Sequence, residues 1–121
     1  MRLMIIGPMM GKPQYNFPAF DVARDALKAM GHQVVSPADE DRAVGIDPSK
    51  LPADHDWSKP YPDMDINTMI WRSIMGIMAC DAVLCLDGWR NGKGASAEKA
   101  VAAWRGMPAY MLVFGKLVRI E

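Results

Sequence analysis

The chain is predicted to fold as a three-layer α/β sandwich, a parallel sheet of four to five strands with helices on both faces. Three observations carry this. Short apolar runs at residues 2–6, 33–36, 82–86 and 108–114 read as buried strands. Between them lie segments whose apolar residues recur every three or four positions, the spacing of helices packed by one face. The order is therefore β-α-β-α-β-α-β, and its connections are short except for one, which is how parallel sheets are wound.

Each element has its own local reason. Arg2-Leu-Met-Ile-Ile6 is an apolar run ended by Gly7-Pro8. Pro18 suits the first turn of a helix and Gly31 the position just past its end, with Phe20, Ala23, Leu27 and Met30 as the inward stripe. Residues 33–36 form a short second strand closed by Pro37; His32 at its start reads as a structural surface residue. Residues 38–62 are polar and carry Pro48, Pro52, Pro60 and Pro62; too long for a plain connector, they read as a long loop or lid, or else as a solvated, mobile loop. His55, Asp56 and Trp57 are its candidates for covering a ligand. Asp63 or Asp65 starts the next helix, striped by Met69, Ile70, Ile74, Ile77 and Met78. Its polar side is thin, so Trp71, Met75 and Met78 are candidates for contact with a second subunit. A helix over 95–105 follows the third strand, with Ala97, Ala100, Val101 and Trp104 expected inward, and Gly106 ends it. Residues 117–120 are a possible fifth strand at an edge.

Composition excludes several function classes. Half of the 121 residues are hydrophobic, which supports one core and leaves too little for a second, so residues 1–121 are expected to be a single domain. The formal net charge is zero, so no basic field gathers a polynucleotide or an anionic membrane surface. No apolar stretch approaches the ~20 residues of a membrane span, and the apolar start is too short for a signal peptide. A cytoplasmic protein is expected. Cys80 and Cys85 lack the spacing and histidine partners of a zinc site and read as reduced, buried thiols. No metal or redox cofactor is implied.

The first and third strands should lie side by side, which brings residues 7–11 next to residues 87–98 at the switch point where open α/β sheets bind ligands. Gly7, Pro8, Met9, Gly11 and Lys12 suit the wrapping of a phosphate or sugar, or an ordinary strand-to-helix turn; the pattern is neither a dinucleotide fingerprint nor a Walker loop. Tyr15 and Asn16 lie ahead of the first helix, where they orient a ligand or, for Asn16, serve a turn. On the other side stand Asp87, Gly88, Trp89, Lys93, Gly94 and Ser96. Glu98 falls in the expected first turn of its helix, where backbone N–H groups and the helix dipole favour an ionised carboxylate. Such a group either stabilises the helix start or acts as a nucleophile.

At these residues the chain resembles a known family. Gly7-Pro-Met-Met-Gly11 with Asn16 and Pro18-Ala-Phe20, then Gly31-His32 and Val34-Val35-x-Pro37, is similar to the first half of nucleoside 2-deoxyribosyltransferase-like domains of the phage-associated branch. Cys80-Asp81-Ala82-Val83, Gly88-Trp89 and Gly94-Ala95-x-x-Glu98 resemble the second half. The resemblance implies a flavodoxin-like, or Rossmann-like, fold and a pocket for a nucleoside or nucleotide. It implies that Glu98 attacks C1′ of the sugar to give a glycosyl-enzyme, released to water in the N-glycosidases or to another base in the transferases. It also implies a homodimer or higher homo-oligomer in which a neighbour completes the site.

Two departures stand out. Active relatives carry an Asp in an Arg-Asp-Ile setting before the third strand, and here the triplet is Arg72-Ser73-Ile74. Relatives that bind a 5′-phosphate often have a Ser six residues before the Glu, where this chain has Gly92; Lys93 is a candidate replacement charge. Asp63, Asp65 and Asp87 are candidates for the missing acid. The alternative to an enzyme is a nucleotide-binding protein that keeps the pocket without the chemistry.

Overall fold

The computed structural model describes residues 1–120. Strands β1 (Arg2–Ile6), β2 (Gln33–Val35), β3 (Ala82–Cys85), β4 (Ala109–Val113) and β5 (Lys116–Arg119) form one sheet in the order β2-β1-β3-β4-β5. The first four are parallel, and β1 and β3 are neighbours in register from Leu3 opposite Ala82 to Ile6 opposite Cys85. The expectation of a wholly parallel sheet is corrected at β5, which runs antiparallel to β4. Only Phe114 and Gly115 separate the two, both with positive φ (47° and 74°). A two-residue turn of that hand makes a hairpin, whereas a parallel return needs a crossover of a dozen residues or so.

Helix α1 (Phe17–Ala29) packs Phe17, Phe20, Ala23 and Leu27 against the face of the sheet that carries Leu3, Ile5 and Leu84. The opposite face, with Met4, Ile6, Val83 and Cys85, is covered by α3 (Ile66–Met78) and α4 (Lys93–Arg105). Asp65, rather than Asp63, caps α3 by accepting from the backbone N–H groups of Asn67 and Thr68. Gly76 lets α3 come down onto β1: a Cβ there would lie 2.9 Å from Met4 Sδ. Burying these two apolar faces is the main driving force for the fold. Cys80 and Cys85 are both buried.

Part of the stretch expected as loop is helical. Helix α2 spans Pro37–Ala43, with Pro37 in its first turn, Asp39 and Glu40 after it and Arg42 in the last turn, all of which suit a helix. A single 3-10 turn follows at Pro48–Lys50. The prolines further along had masked these signals.

The inward stripe of α4 also differs. Ala95, Lys99 and Ala102 are buried, Ala97 and Ala100 are exposed, and Trp104 is 90% exposed. Alanine fits either face of a helix; Val101 is partly buried against the core as expected, whereas Trp104 pointed to the wrong face. The buried face instead takes a lysine stem, whose Nζ lies 5.8 Å from the Trp89 ring centroid. On α3 only Gly76 and Ile77 are fully buried, while Ile66, Ile70, Trp71, Met75 and Met78 are exposed. Beside α1 a groove of about 370 Å³ opens over the ends of β3 and β4, lined by Pro18, Val22, Leu84, Leu86, Asp87 and Leu112 among others. No helix among the described residues is long and apolar enough to cross a membrane.

Candidate functional site

The pairing of β1 with β3 brings the two glycine loops together. Leu86 N–H donates to the Ile6 carbonyl at 2.8 Å, and Gly7 lies so close that a Cβ on it would sit 2.8 Å from Leu86 Cβ. A Cβ on Gly92 would lie 3.1 Å from Pro8 Cα, and one on Gly88, where φ is +79°, 3.7 Å from the Pro8 ring. The Asn16 side-chain amide donates to the Pro8 carbonyl at 2.9 Å. Gly7, Pro8, Asn16, Gly88 and Gly92 thus form one packed junction. Asp87, Gly88, Lys93 and Gly94 are exposed on its outer side. The Ser96 hydroxyl turns back to the carbonyl of Arg90 at 3.1 Å, and Trp89 is buried under the Arg90 guanidinium, 4.6 Å from its ring centroid. The indole Nε1 of Trp89 is buried without a partner.

Residues 55–59 fasten onto the loop between β1 and α1 as a strap, at Gly11 and Tyr15. Gly11 N–H donates to the Trp57 carbonyl at 2.7 Å. The Tyr15 hydroxyl donates to the Lys59 carbonyl at 2.7 Å and pairs with His55 Nε2 at 2.9 Å, while its ring meets Trp57 edge-on. Tyr15 belongs to three successive non-glycine residues in the left-handed region, Gln14, Tyr15 and Asn16, with φ of 57°, 51° and 63°. That run is sterically unfavourable and persists because the partners on both sides fix it.

Glu98 lies six residues beyond Gly92, on α4. Because α4 begins at Lys93, two residues earlier than expected, Glu98 lies in the second turn, facing α3. There the backbone N–H groups already serve the helix, and the dipole acts mainly within the first turn. The expectation that the helix start keeps Glu98 ionised is therefore corrected: burial raises its pKa from 4.5 to about 7. A hydrogen bond from the Ser73 side chain pulls the other way, and the like charge of Glu40 adds to the rise. Glu98 Oε2 is buried with no hydrogen-bond partner. An oxygen in that position is either a cost to the fold or an acceptor awaiting a ligand.

Next to Ser73, Arg72 reaches α2. Its guanidinium pairs with Asp41, which is 2% exposed, donates to the Glu40 carbonyl at 3.3 Å, and lies 3.4 Å from Glu40 Oε2. Burial raises the pKa of both carboxyls, and Arg72 opposes the rise. Asp41 also lines a cavity of about 50 Å³ with Met9, Tyr15, Met64 and Met69. Glu98 lines neither this cavity nor the groove beside α1. The expectation of a solvated loop at Glu40 and Asp41 is corrected; acids in the first turn after Pro37 with Arg42 in the last are the available sign of a helix. Of the candidate acids, Asp65 is committed to its cap, and Asp63 and Asp87 are exposed. Among the described residues no cluster of three His, Cys, Asp or Glu is arranged to hold a metal.

Residues 1–111 match the family model described as "Domain of unknown function (DUF4406)". No curated protein matches the chain in sequence. Among solved structures, the 2-deoxyribosyltransferase of the psychrotolerant bacterium Bacillus psychrosaccharolyticus is similar, with a TM-score of 0.61 and 15% identity over 92% of this chain and 71% of that one. At that identity the likeness is one of fold, and it agrees with a flavodoxin-like α/β architecture.

Proposed function

Given that the chain belongs to the DUF4406 family and holds Glu98 against Ser73 between two helices, we propose that it acts on the N-glycosidic bond of a nucleoside or nucleotide. The observation that carries the reading is the Glu98 carboxyl itself: buried, with one oxygen unpartnered, on a fold shared with a 2-deoxyribosyltransferase. In this reading the ionised Glu98 attacks C1′ as the base departs, and water or a second base then releases the sugar. Gly7, Pro8, Met9 and Gly11 cradle the sugar or phosphate, with Tyr15 and Asn16 fixing that loop. Asp87, Gly88, Trp89, Lys93, Gly94 and Ser96 form the opposite wall. The exposed apolar side of α3 is the face on which we expect a second copy to dock, in the manner the phage-associated resemblance implies.

A second reading has its own observation. Ser73 stands where active relatives carry an acid, and Glu98 opens onto neither described cavity, which suits a protein that binds a nucleotide without cleaving it. Chromatography of free base from a panel of 2′-deoxynucleosides and their 5′-monophosphates separates the two. Release by the wild type that disappears in Glu98→Ala supports the enzyme. Saturable nucleotide binding with no release supports the binder, and release undiminished in Glu98→Ala refutes the assigned nucleophile.

A further inference from the structure

The chain has 11 methionines, and they serve different ends. Met4 and Met107, 2% and 8% exposed, fill gaps in the core. Met9, Met10, Met64 and Met69 do not: they line one small cavity of about 50 Å³, and none of the four is buried. They come to it from three parts of the chain. Met9 and Met10 lie in the loop after β1, Met64 just ahead of the Asp65 cap, and Met69 near the start of α3. Turns fix both loops, with Lys12 N–H donating to the Met9 carbonyl at 3.2 Å and Met64 N–H to the Tyr61 carbonyl at 3.1 Å. A fixed backbone with unbranched side chains of three rotatable bonds lets the sulfurs adjust to a guest while the fold stays put.

The polar groups at this cavity are already engaged. The Tyr15 hydroxyl is held by Lys59 and His55, and Asp41 by Arg72. No lysine, arginine or histidine among the described residues lines it, so no positive charge on its wall repels a cation, and Arg72 behind Asp41 is matched by two carboxyls. The space is several times the ~10–15 Å³ that one water needs and far below the ~300 Å³ at which pockets for organic ligands begin. Magnesium and calcium demand shells of oxygen that the cavity lacks, whereas neutral thioethers are soft ligands that select soft ions. We propose that Met9, Met10, Met64 and Met69 form a thioether site for a soft monovalent cation, Cu(I) or its analogue Ag(I). Met10, 50% exposed, marks the way in. Thioethers hold no proton at ordinary pH, so the ion enters without releasing one. The site does not depend on the N-glycosidic reading: of its four ligands only Met9 belongs to the loop assigned there to sugar or phosphate.

The test titrates the purified full chain with Ag(I) and, without oxygen, with Cu(I) against a chromophoric Cu(I) chelator. One equivalent should bind, the melting temperature should rise, and the affinity should stay level between about pH 5.5 and 7.5. Met64→Leu and Met69→Leu conserve volume and should each weaken binding by at least the ~10–100-fold that loss of a mere supporting group costs a metal site. Met10→Leu, Met64→Leu and Met69→Leu together should abolish it, and Met107→Leu, in the core, should leave it unchanged. Melting of each variant without metal checks that the fold is kept. The competing soft donors are the buried thiols of Cys80 and Cys85, so a protein carrying Cys80→Ala and Cys85→Ala should bind as the wild type does. A wild type that binds neither ion overturns the site. So does binding that survives in the folded triple methionine variant, that disappears with the cysteines, or that weakens in acid as a thiolate site must.

Discussion

Replacing Glu98 by Gln keeps the shape of the side chain and removes its titration. In the folded protein this carboxyl protonates near pH 7, against 4.5 when free of the fold, and burial is the largest cause. A raised carboxyl pKa means that the folded state holds the proton more tightly than the unfolded chain, so the contribution to stability is complete below pH 4.5 and is lost as pH rises through 7. At ~1.4 kcal/mol per pH unit, the interval between 4.5 and about 7 corresponds to ~3 kcal/mol. The amide resembles the protonated acid, so wild type and variant should be similarly stable at pH 5. At pH 8.5 the variant should be the more stable by up to that amount. Urea unfolding across pH 5–8.5 reads the difference directly: with a slope of ~1–3 kcal/mol per molar, the midpoints should separate by roughly 1–3 M at the alkaline end. Asp41 titrates in the same direction but is common to both proteins and cancels in the comparison, while the repulsion between Glu40 and Glu98 is part of the difference that is read. Ser73→Ala, which removes an interaction favouring the ionised form, should move the wild-type transition to higher pH. Parallel stability curves for wild type and Glu98→Gln would refute the burial argument, whatever the protein's activity.

Gly7→Ala should destabilise the fold by about 1–3 kcal/mol, because the new methyl group meets Leu86 across the β1–β3 pair at 2.8 Å; thermal melting measures it. Tyr15→Phe removes the hydroxyl that joins Lys59 and His55, at a cost of about 1 kcal/mol, and amide exchange at Gly11, whose N–H bonds to Trp57, should quicken while that of β3 stays slow. Trp71→Lys with Met75→Lys places charges on the exposed side of α3; light scattering should then give a monomer where the wild type gives a larger species, with the melting temperature of each protomer little changed.

The four parallel strands and α1 were legible because each is a continuous apolar run or a clean stripe ended by glycine or proline. The direction of β5 was a matter of counting: the two residues left between β4 and β5 allow a hairpin alone. The α4 stripe was illegible because its buried positions are alanine and a lysine stem, which carry no hydrophobic contrast. The glycines and Glu98 could be singled out from sequence, but their surroundings could not. That Glu98 meets Ser73 depends on how α3 and α4 are set against each other, and that Glu40 and Asp41 join Arg72 depends on α2, a helix hidden in a proline-bearing stretch. The engagement of Tyr15 by residues forty and more positions away left no local trace at all.

Pro8 is the point at which several of these pieces are hinged. Its carbonyl holds Asn16 at the start of α1, its Cα lies so near position 92 that a Cβ there would sit at a tight 3.1 Å, and its ring faces Gly88. Three residues further on, Gly11 anchors the strap. Proline brings a fixed φ and no N–H, so this hinge does not yield by local rotation. The onset of α1, the onset of α4 and the strap are consequently geared together: a ligand that displaced one would have to displace all three, and the amides on either side of Pro8 should open to solvent in a single cooperative event rather than one by one.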